Sequence, residues 1–152
     1  MIRKFTFNKL KFDDLECQLK IRNQQPVRQA SFNKGLIDTE THYKWFYKFS
    51  KSEDFNYFVL KHDDEMVGVG YGNNFRESDK SFLWGFYIDS ELKSEIKYGS
   101  LLKYLIFEKL FDIEKVEAIR CQVLFGFEWI KDWHIKWGHE ILHVDDKNKF
   151  YE

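Results

Sequence analysis

Apolar and polar residues alternate along Ile2 to Phe12 (Ile2, Phe5, Phe7, Leu10), and this short period predicts an edge-like β-strand. The pattern then turns helical. Asp13-Asp14 offers an N-cap and first-turn negative charge for a helix running to about Asn23, with Leu15, Leu19 and Arg22 on one face. Pro26 closes that region, and Val27 to Gly35 reads as loop. A second helix is marked by Asp38 as its cap, by Glu40 in its first turn, and by His42, Trp45, Phe46 and Phe49 at i, i+3, i+4, i+7.

After Ser50-Lys51-Ser52 three strand-like runs follow, Phe55 to Lys61, Met66 to Asn73 and Ser81 to Asp89, rich in Val, Tyr, Phe and Trp. The breaks between them, His62-Asp63-Asp64 and Asn74 to Lys80, are short enough for antiparallel hairpins. Tyr98, Leu101, Leu102, Leu105, Ile106 and Leu110 then make the longest helical stripe. A strand from about Val116 to Leu124 leads through Gly126-Phe127 into an aromatic helix with Ile130, Trp133 and Trp137, stopped by Gly138. Glu140 to Val144 and Lys149 to Tyr151 flank Asp145 to Asn148 as a closing hairpin. The order β-α-α-β-β-β-α-β-α-β-β describes an α+β fold, a mixed and mostly antiparallel sheet flanked by four helices, with one βαβ step.

Composition narrows the function classes. At 152 residues, with no repeat or composition break, the chain reads as a single domain, residues 1-152. A net charge of −1 argues against a dedicated nucleic-acid binder, which needs a basic excess or patch. No apolar run approaches a membrane span, and Met1 to Phe5 has no secretory apolar core, so a cytoplasmic protein is expected. Cys17 and Cys121 form no Cys-x-x-Cys unit, so neither a zinc site nor any other metal is expected. Aromatic residues reach 19%, an excess that composition alone leaves as a feature of the core.

The element order resembles the Gcn5-related N-acetyltransferase (GNAT) family. So do the segments Ile21-Arg22-Asn23, Val27-Arg28, Phe32-Asn33, His42 and Trp45-Phe46, which look most like the branch that N-acetylates a nucleotide-linked aminosugar in pseudaminic acid synthesis. Tyr57 to Leu60, Met66 to Gly70, Gly85 to Asp89 and Gly99 to Leu105 extend the similarity over nearly the whole chain. The resemblance implies acetyl-CoA as donor. It places the pantetheine arm along the fourth strand at Tyr87 and Ile88, and the pyrophosphate on Ser94, Glu95, Ile96, Lys97, Tyr98, Gly99 and Ser100 at the next helix start. It implies a small-molecule amine as acceptor, with Arg22, Arg28, Asn33 and Trp45 as contacts, Arg22 or Arg28 gripping a diphosphate bidentately.

Two segments depart from the family pattern. The loop Q/R-x-x-G-x-G/A reads Ser94-Glu95-Ile96-Lys97-Tyr98-Gly99 here, so only Gly99 matches. The tyrosine that protonates the departing thiolate is replaced by His134, if Gly138-His139 stands for the family's Gly-Phe pair. His134, with an ordinary pKa near neutrality, is thus a candidate general acid; His42 and Asp89 are candidate bases. Each has a structural counterpart: a half-buried helix residue, a core histidine beside Trp45, and a strand-end turn residue. The expected activity is acetyl transfer to a small amine. A catalytically weakened GNAT-fold binding module and a protein N-terminal acetyltransferase stand as the other readings. Terminal strands and aromatic surface could support a homodimer.

Overall fold

The computed structural model describes residues 4–152. Ile2, where the opening strand was expected to begin, lies outside the described residues. Strand β1 (Phe5–Lys9) pairs antiparallel with β2 (Asn56–His62), β2 with β3 (Glu65–Arg76), and β3 with β4 (Ser81–Ile88). β5 (Ala118–Arg120) joins β4 in parallel, giving the sheet order β1-β2-β3-β4-β5. The β2–β3 hairpin turns on Asp63 and Asp64, both at positive φ, the twist that a two-residue hairpin loop requires. The sheet is mixed and mostly antiparallel, as the residue pattern indicates.

Helix α1 (Leu15–Arg22) follows a 3-10 turn over Phe12–Asp14, in which Asp14 accepts from the Lys11 N–H at 3.1 Å. α3 (Thr39–Phe49) starts where expected, since Asp38 accepts the Thr41 N–H at 2.8 Å. Between them lies α2 (Gln25–Gln29), which corrects the expectation of a loop from Val27 onward and of four helices. A proline stops a helix that would run through it but suits the first turn of a new one. Pro26 sits in the first turn of α2, where its missing N–H would have had no partner and its fixed φ favours the start.

α4 (Tyr98–Phe111) covers one face of the sheet, and α5 (Glu128–Lys136) ends at Gly138 with φ +91°. Gly68, Gly70 and Gly72 alternate along β3. A Cβ on Gly72 would come within 2.6 Å of Leu110, and one on Gly70 within 3.2 Å of Leu102, so α4 lies directly on bare backbone. The opposite face packs Val59, Val69, Tyr57 and Tyr87 against Leu15, Ile21 and Phe46 of α1 and α3.

The strand expected over Val116 to Leu124 is broken. β5 ends at Arg120 and β6 (Val123–Leu124) leaves for a second sheet, ordered β6-β8-β7 with β7 (Val144–Asp145) and β8 (Phe150–Tyr151). Apolar residues recur on both sides of the break with no Gly, Pro or turn cluster between, so the residue pattern gives no sign of the change of sheet at Cys121-Gln122. The closing hairpin is present but shorter than expected on both arms, and Asp145, expected in the turn, belongs to the first.

Candidate active site

Pairing between β4 and β5 stops at Leu83 opposite Arg120. From Trp84 to Ile88, β4 remains bonded to β3 on one edge and has no strand on the other. The chain opposite has already turned away into β6. The two diverging segments bound a cleft of about 630 Å³, closed by the α1–α2 segment on one side and by α5 on the other. A second cavity of about 210 Å³, walled by Trp45, Phe49, Phe55 and Tyr57, meets it at Asn73 and Asn74.

Tyr87 and Ile88 both border the large cleft. The Tyr87 hydroxyl accepts from Gln18 Nε2 at 2.9 Å, and Gln18 Oε1 lies 3.1 Å from His42 Nε2. Because the Gln18 amide nitrogen is spent on Tyr87, its oxygen must receive the His42 Nε2–H. Burial holds the Tyr87 phenol protonated, its pKa raised well above the usual value. Burial also depresses the His42 pKa, opposed by the Leu15 carbonyl and reinforced by the Arg22 charge. His42 stacks on Trp45 at 5.4 Å and borders neither cavity; it reaches the cleft only through Gln18 and Tyr87.

The arginines differ. Arg22 lines the cleft, donates from Nη2 to the Asn33 carbonyl at 3.1 Å, and has its buried Nη1 without a protein partner. Arg28 donates to the carbonyls of Asn23 and Lys34 at 3.0 and 2.8 Å and holds the loop after α2 in place, away from the cleft. Asn33 borders the cleft, while Trp45 faces the smaller cavity. Asp89 terminates β4 as a turn residue: its Oδ1 accepts from Gln24 Nε2 at 2.7 Å and from the Glu91 N–H at 2.9 Å. Gln24 Oε1 in turn accepts from Ser90, so one glutamine clips the α1–α2 junction to the end of β4.

Ser94, Glu95, Ile96 and Lys97 form the loop into α4, outside the cleft walls. Ser94 Oγ accepts the Ile96 N–H, the Tyr98 N–H bonds Ile96 O, and the Ser100 and Leu101 N–H groups bond Lys97 O. Tyr98 is buried with its hydroxyl 2.7 Å from His62 Nδ1. The Gly99 N–H is thus the first-turn amide with no partner among the described residues.

His134 borders the cleft from α5. Its Nδ1 lies 2.9 Å from Nζ of Lys103, a lysine of α4 with no exposed surface. Burial and the Lys103 charge push the His134 pKa down to about 3, so the imidazolium expected from the ordinary value is not the resting form. His139 is depressed to about 4 by the same causes, and burial raises the Cys121 thiol to about 11. Reactive atoms of Cys121, His134 and His139 lie within 4.8 Å of one another. The residue pattern gives no hint of this cluster, because its members come from different elements with no local Cys or His run.

A family model described as an acetyltransferase (GNAT) domain matches residues 8–144. The chain belongs to the GNAT acetyltransferase family. It is 28% identical over 123 residues to the acetyltransferase PseH of Campylobacter jejuni, covering 81% of this chain and 74% of that protein. PseH of a second C. jejuni strain is 26% identical over 156 residues, at 99% and 92% coverage. The fold matches spermidine N-acetyltransferase from Vibrio cholerae, solved with CoA and spermine, at TM-score 0.81 and 13% identity, over 97% of this chain and 91% of that one. FdhC, a nucleotide-linked sugar GNAT, aligns at TM-score 0.75 and 25% identity, over 97% and 84%.

As a GNAT N-acetyltransferase, the protein uses acetyl-CoA to acetylate an amine. Its residues fit that donor at one end better than at the other. The bare edge of β4 at Trp84 to Ile88 presents unpaired peptide groups to an amide-bearing arm, in the manner of an added strand. The α4 end presents the unpartnered Gly99 amide in its first turn, with Glu95 exposed in the loop that precedes it.

Proposed function

We propose that this GNAT enzyme acetylates the amine of a nucleotide-linked aminosugar, and that it does so within the two cavities that share Asn73 and Asn74. The observation that carries the acceptor assignment is Arg22, which lines the large cleft and whose buried Nη1 has no protein partner. A buried guanidinium N–H without a partner costs on the order of 1–3 kcal/mol, which an acceptor diphosphate would recover. The aromatic walls of the smaller cavity, Trp45 and Tyr57 above all, suit a nucleobase or sugar face. The likeness to FdhC, a nucleotide-linked sugar GNAT, supports the same acceptor class.

In this reading acetyl-CoA supplies a thioester activated for attack. Tyr87 and Ile88 hold its arm through their backbone. Gly99 and Ser100, with Lys97, meet the phosphates, while Ser94, Glu95, Ile96 and Tyr98 shape that loop. Asn33 and Arg22 orient the acceptor, and Arg28 acts by fixing the loop that carries Asn33. The Gln18 bridge fixes His42 and Tyr87 beside the acceptor cavity, making them positioning residues. His134 donates the proton that the departing sulfur requires. Asp89 shapes the cleft mouth through Gln24. Residues 1–152 act as one domain of a cytoplasmic enzyme, and the exposed Val144 of edge strand β7, with Ile141 and Leu142 just before it, supports a homodimer.

Thiol release from acetyl-CoA, followed with a nucleotide-linked aminosugar, spermidine and an alanine-terminated peptide, tests the assignment. The nucleotide-linked sugar is expected to lead in kcat/KM by at least about 10²-fold. Preference for the polyamine or the peptide overturns it.

A further inference from the structure

Lys103 presents a problem of charge. It is a fully buried amine, and no carboxylate hydrogen-bonds or ion-pairs with it among the described residues. Its surroundings are Trp84 of β4, Phe107 of its own helix, and Trp133 and Trp137 on and just after α5, with ring centroids 4.6–5.9 Å from Nζ. Such faces stabilise a cation without neutralising it. The polar and titratable groups facing it are His134 on α5, His139 after α5 and Cys121 at the β5–β6 break. Glu152 lies farther out, against Cys121, Gln122 and Arg120.

We propose that Lys103 and His134 act together as the proton donor for the sulfur leaving group, with Lys103 supplying the proton and His134 carrying it across its ring. The inference rests on the assignment of His134 as donor and adds the residue that makes it competent. An ammonium at Lys103 donates to His134 Nδ1, which forces the neutral imidazole to keep its proton on Nε2. Nε2 has no hydrogen bond to protein among the described residues, and His134 borders the cleft.

The transfer balances. As the C–S bond of the thioester breaks, its electron pair stays on sulfur. The His134 Nε2–H bond breaks as an S–H bond forms. The Lys103 Nζ–H bond breaks as Nδ1–H forms. The products are a free thiol, a neutral histidine of the other tautomer and a neutral lysine, which regains its proton from water. No imidazolium is formed, which matters because burial and Lys103 hold the His134 pKa near about 3. Burial also lowers Lys103 to about 8, close to neutrality, where a proton donor works best.

Steady-state kinetics and NMR on the full chain test this. In the wild type, the histidine ring nitrogens should report His134 as neutral with Nε2 protonated from about pH 5 to about pH 7, where Lys103 is still an ammonium. Lys103 should titrate near about 8. The wild-type kcat should fall as pH rises through that value. Lys103→Met should lower kcat by about 10²-fold or more and abolish that alkaline fall, with acetyl-CoA affinity by calorimetry unchanged within about twofold. Should Lys103→Met fail to fold, the wild-type NMR decides: His134 protonated on Nδ1, or Lys103 titrating at its ordinary value, overturns the pair. His134→Gln with full kcat overturns the donor assignment and the pair together. Loss of activity in His134→Gln while Lys103→Met keeps its kcat and its alkaline fall overturns the pair alone.

Discussion

Arg22 and Arg28 stand six positions apart around the same turn and have opposite jobs, because one guanidinium is satisfied and the other is not. Both Arg28 contacts are main-chain carbonyls, so Arg28→Ala frees the loop after α2 and should cost about 1–2 kcal/mol in urea unfolding. Its effect on acceptor KM should be small. Arg22→Lys keeps the positive charge but loses the planar fork, and should raise KM for a nucleotide-linked acceptor about tenfold or more with little change in stability. Equal KM effects from the two substitutions would undo the distinction. The residue pattern cannot tell these arginines apart, since their roles depend on which carbonyls the loop brings back to them. It does show Asp38 as a cap and Gly138 as a stop, because those roles are local. Gln18 and Gln24 escape notice for the converse reason. A glutamine gives no signal in sequence, and here each bridges elements more than 60 residues apart.

Elements rather than single residues make the cleft, and β3 governs it. Its glycines let α4 press against one face, while their register with β4 fixes where the free edge of that strand lies. Gly68 is the sensitive position. An added Cβ would sit 2.8 Å from the Tyr87 carbonyl oxygen and 2.6 Å from Ile88 Cδ1, and a backbone oxygen cannot turn aside. Gly70 meets only side-chain atoms, of Leu102 from 3.2 Å and of Ile106 at 3.5 Å. Gly68→Ala should therefore cost about 1–3 kcal/mol and weaken acetyl-CoA binding measured by calorimetry, because it displaces the β4 edge itself. Gly70→Ala should cost less and leave that affinity unchanged. Equal binding losses would mean that the β4 edge does not hold the donor. Strand and helix types are largely legible in sequence at this scale, because period and caps are local. The break at Cys121-Gln122 and helix α2 are not, because sheet membership and the packing around Pro26 are decided by the rest of the molecule.

At the scale of the whole molecule, the cleft floor sets how stability follows pH. His134 and His139 are neutral when folded, with pKa values near about 3 and about 4, whereas an unfolded histidine titrates near 6.5. Between these limits the unfolded chain binds more protons than the native one. Both groups therefore contribute stability that is present above about 6.5 and is lost as pH falls toward their folded values. Lys103 acts at the other end: folded near about 8 and ordinarily at 10.5, it makes stability rise with pH across that interval. The carboxylate Asp79, held far below its usual range by Arg76 and Ser81, is exposed and should contribute little to the acid loss. Urea unfolding should thus show a stability loss on the order of a few kcal/mol between about pH 6.5 and about pH 4. His134→Gln should flatten that descent, since the amide has no proton to take up, even though it removes the acceptor of the Lys103 hydrogen bond. An unchanged acid descent in His134→Gln would mean that His134 is not buried as a neutral base, and with that the tautomer assigned to the floor of the cleft would fail.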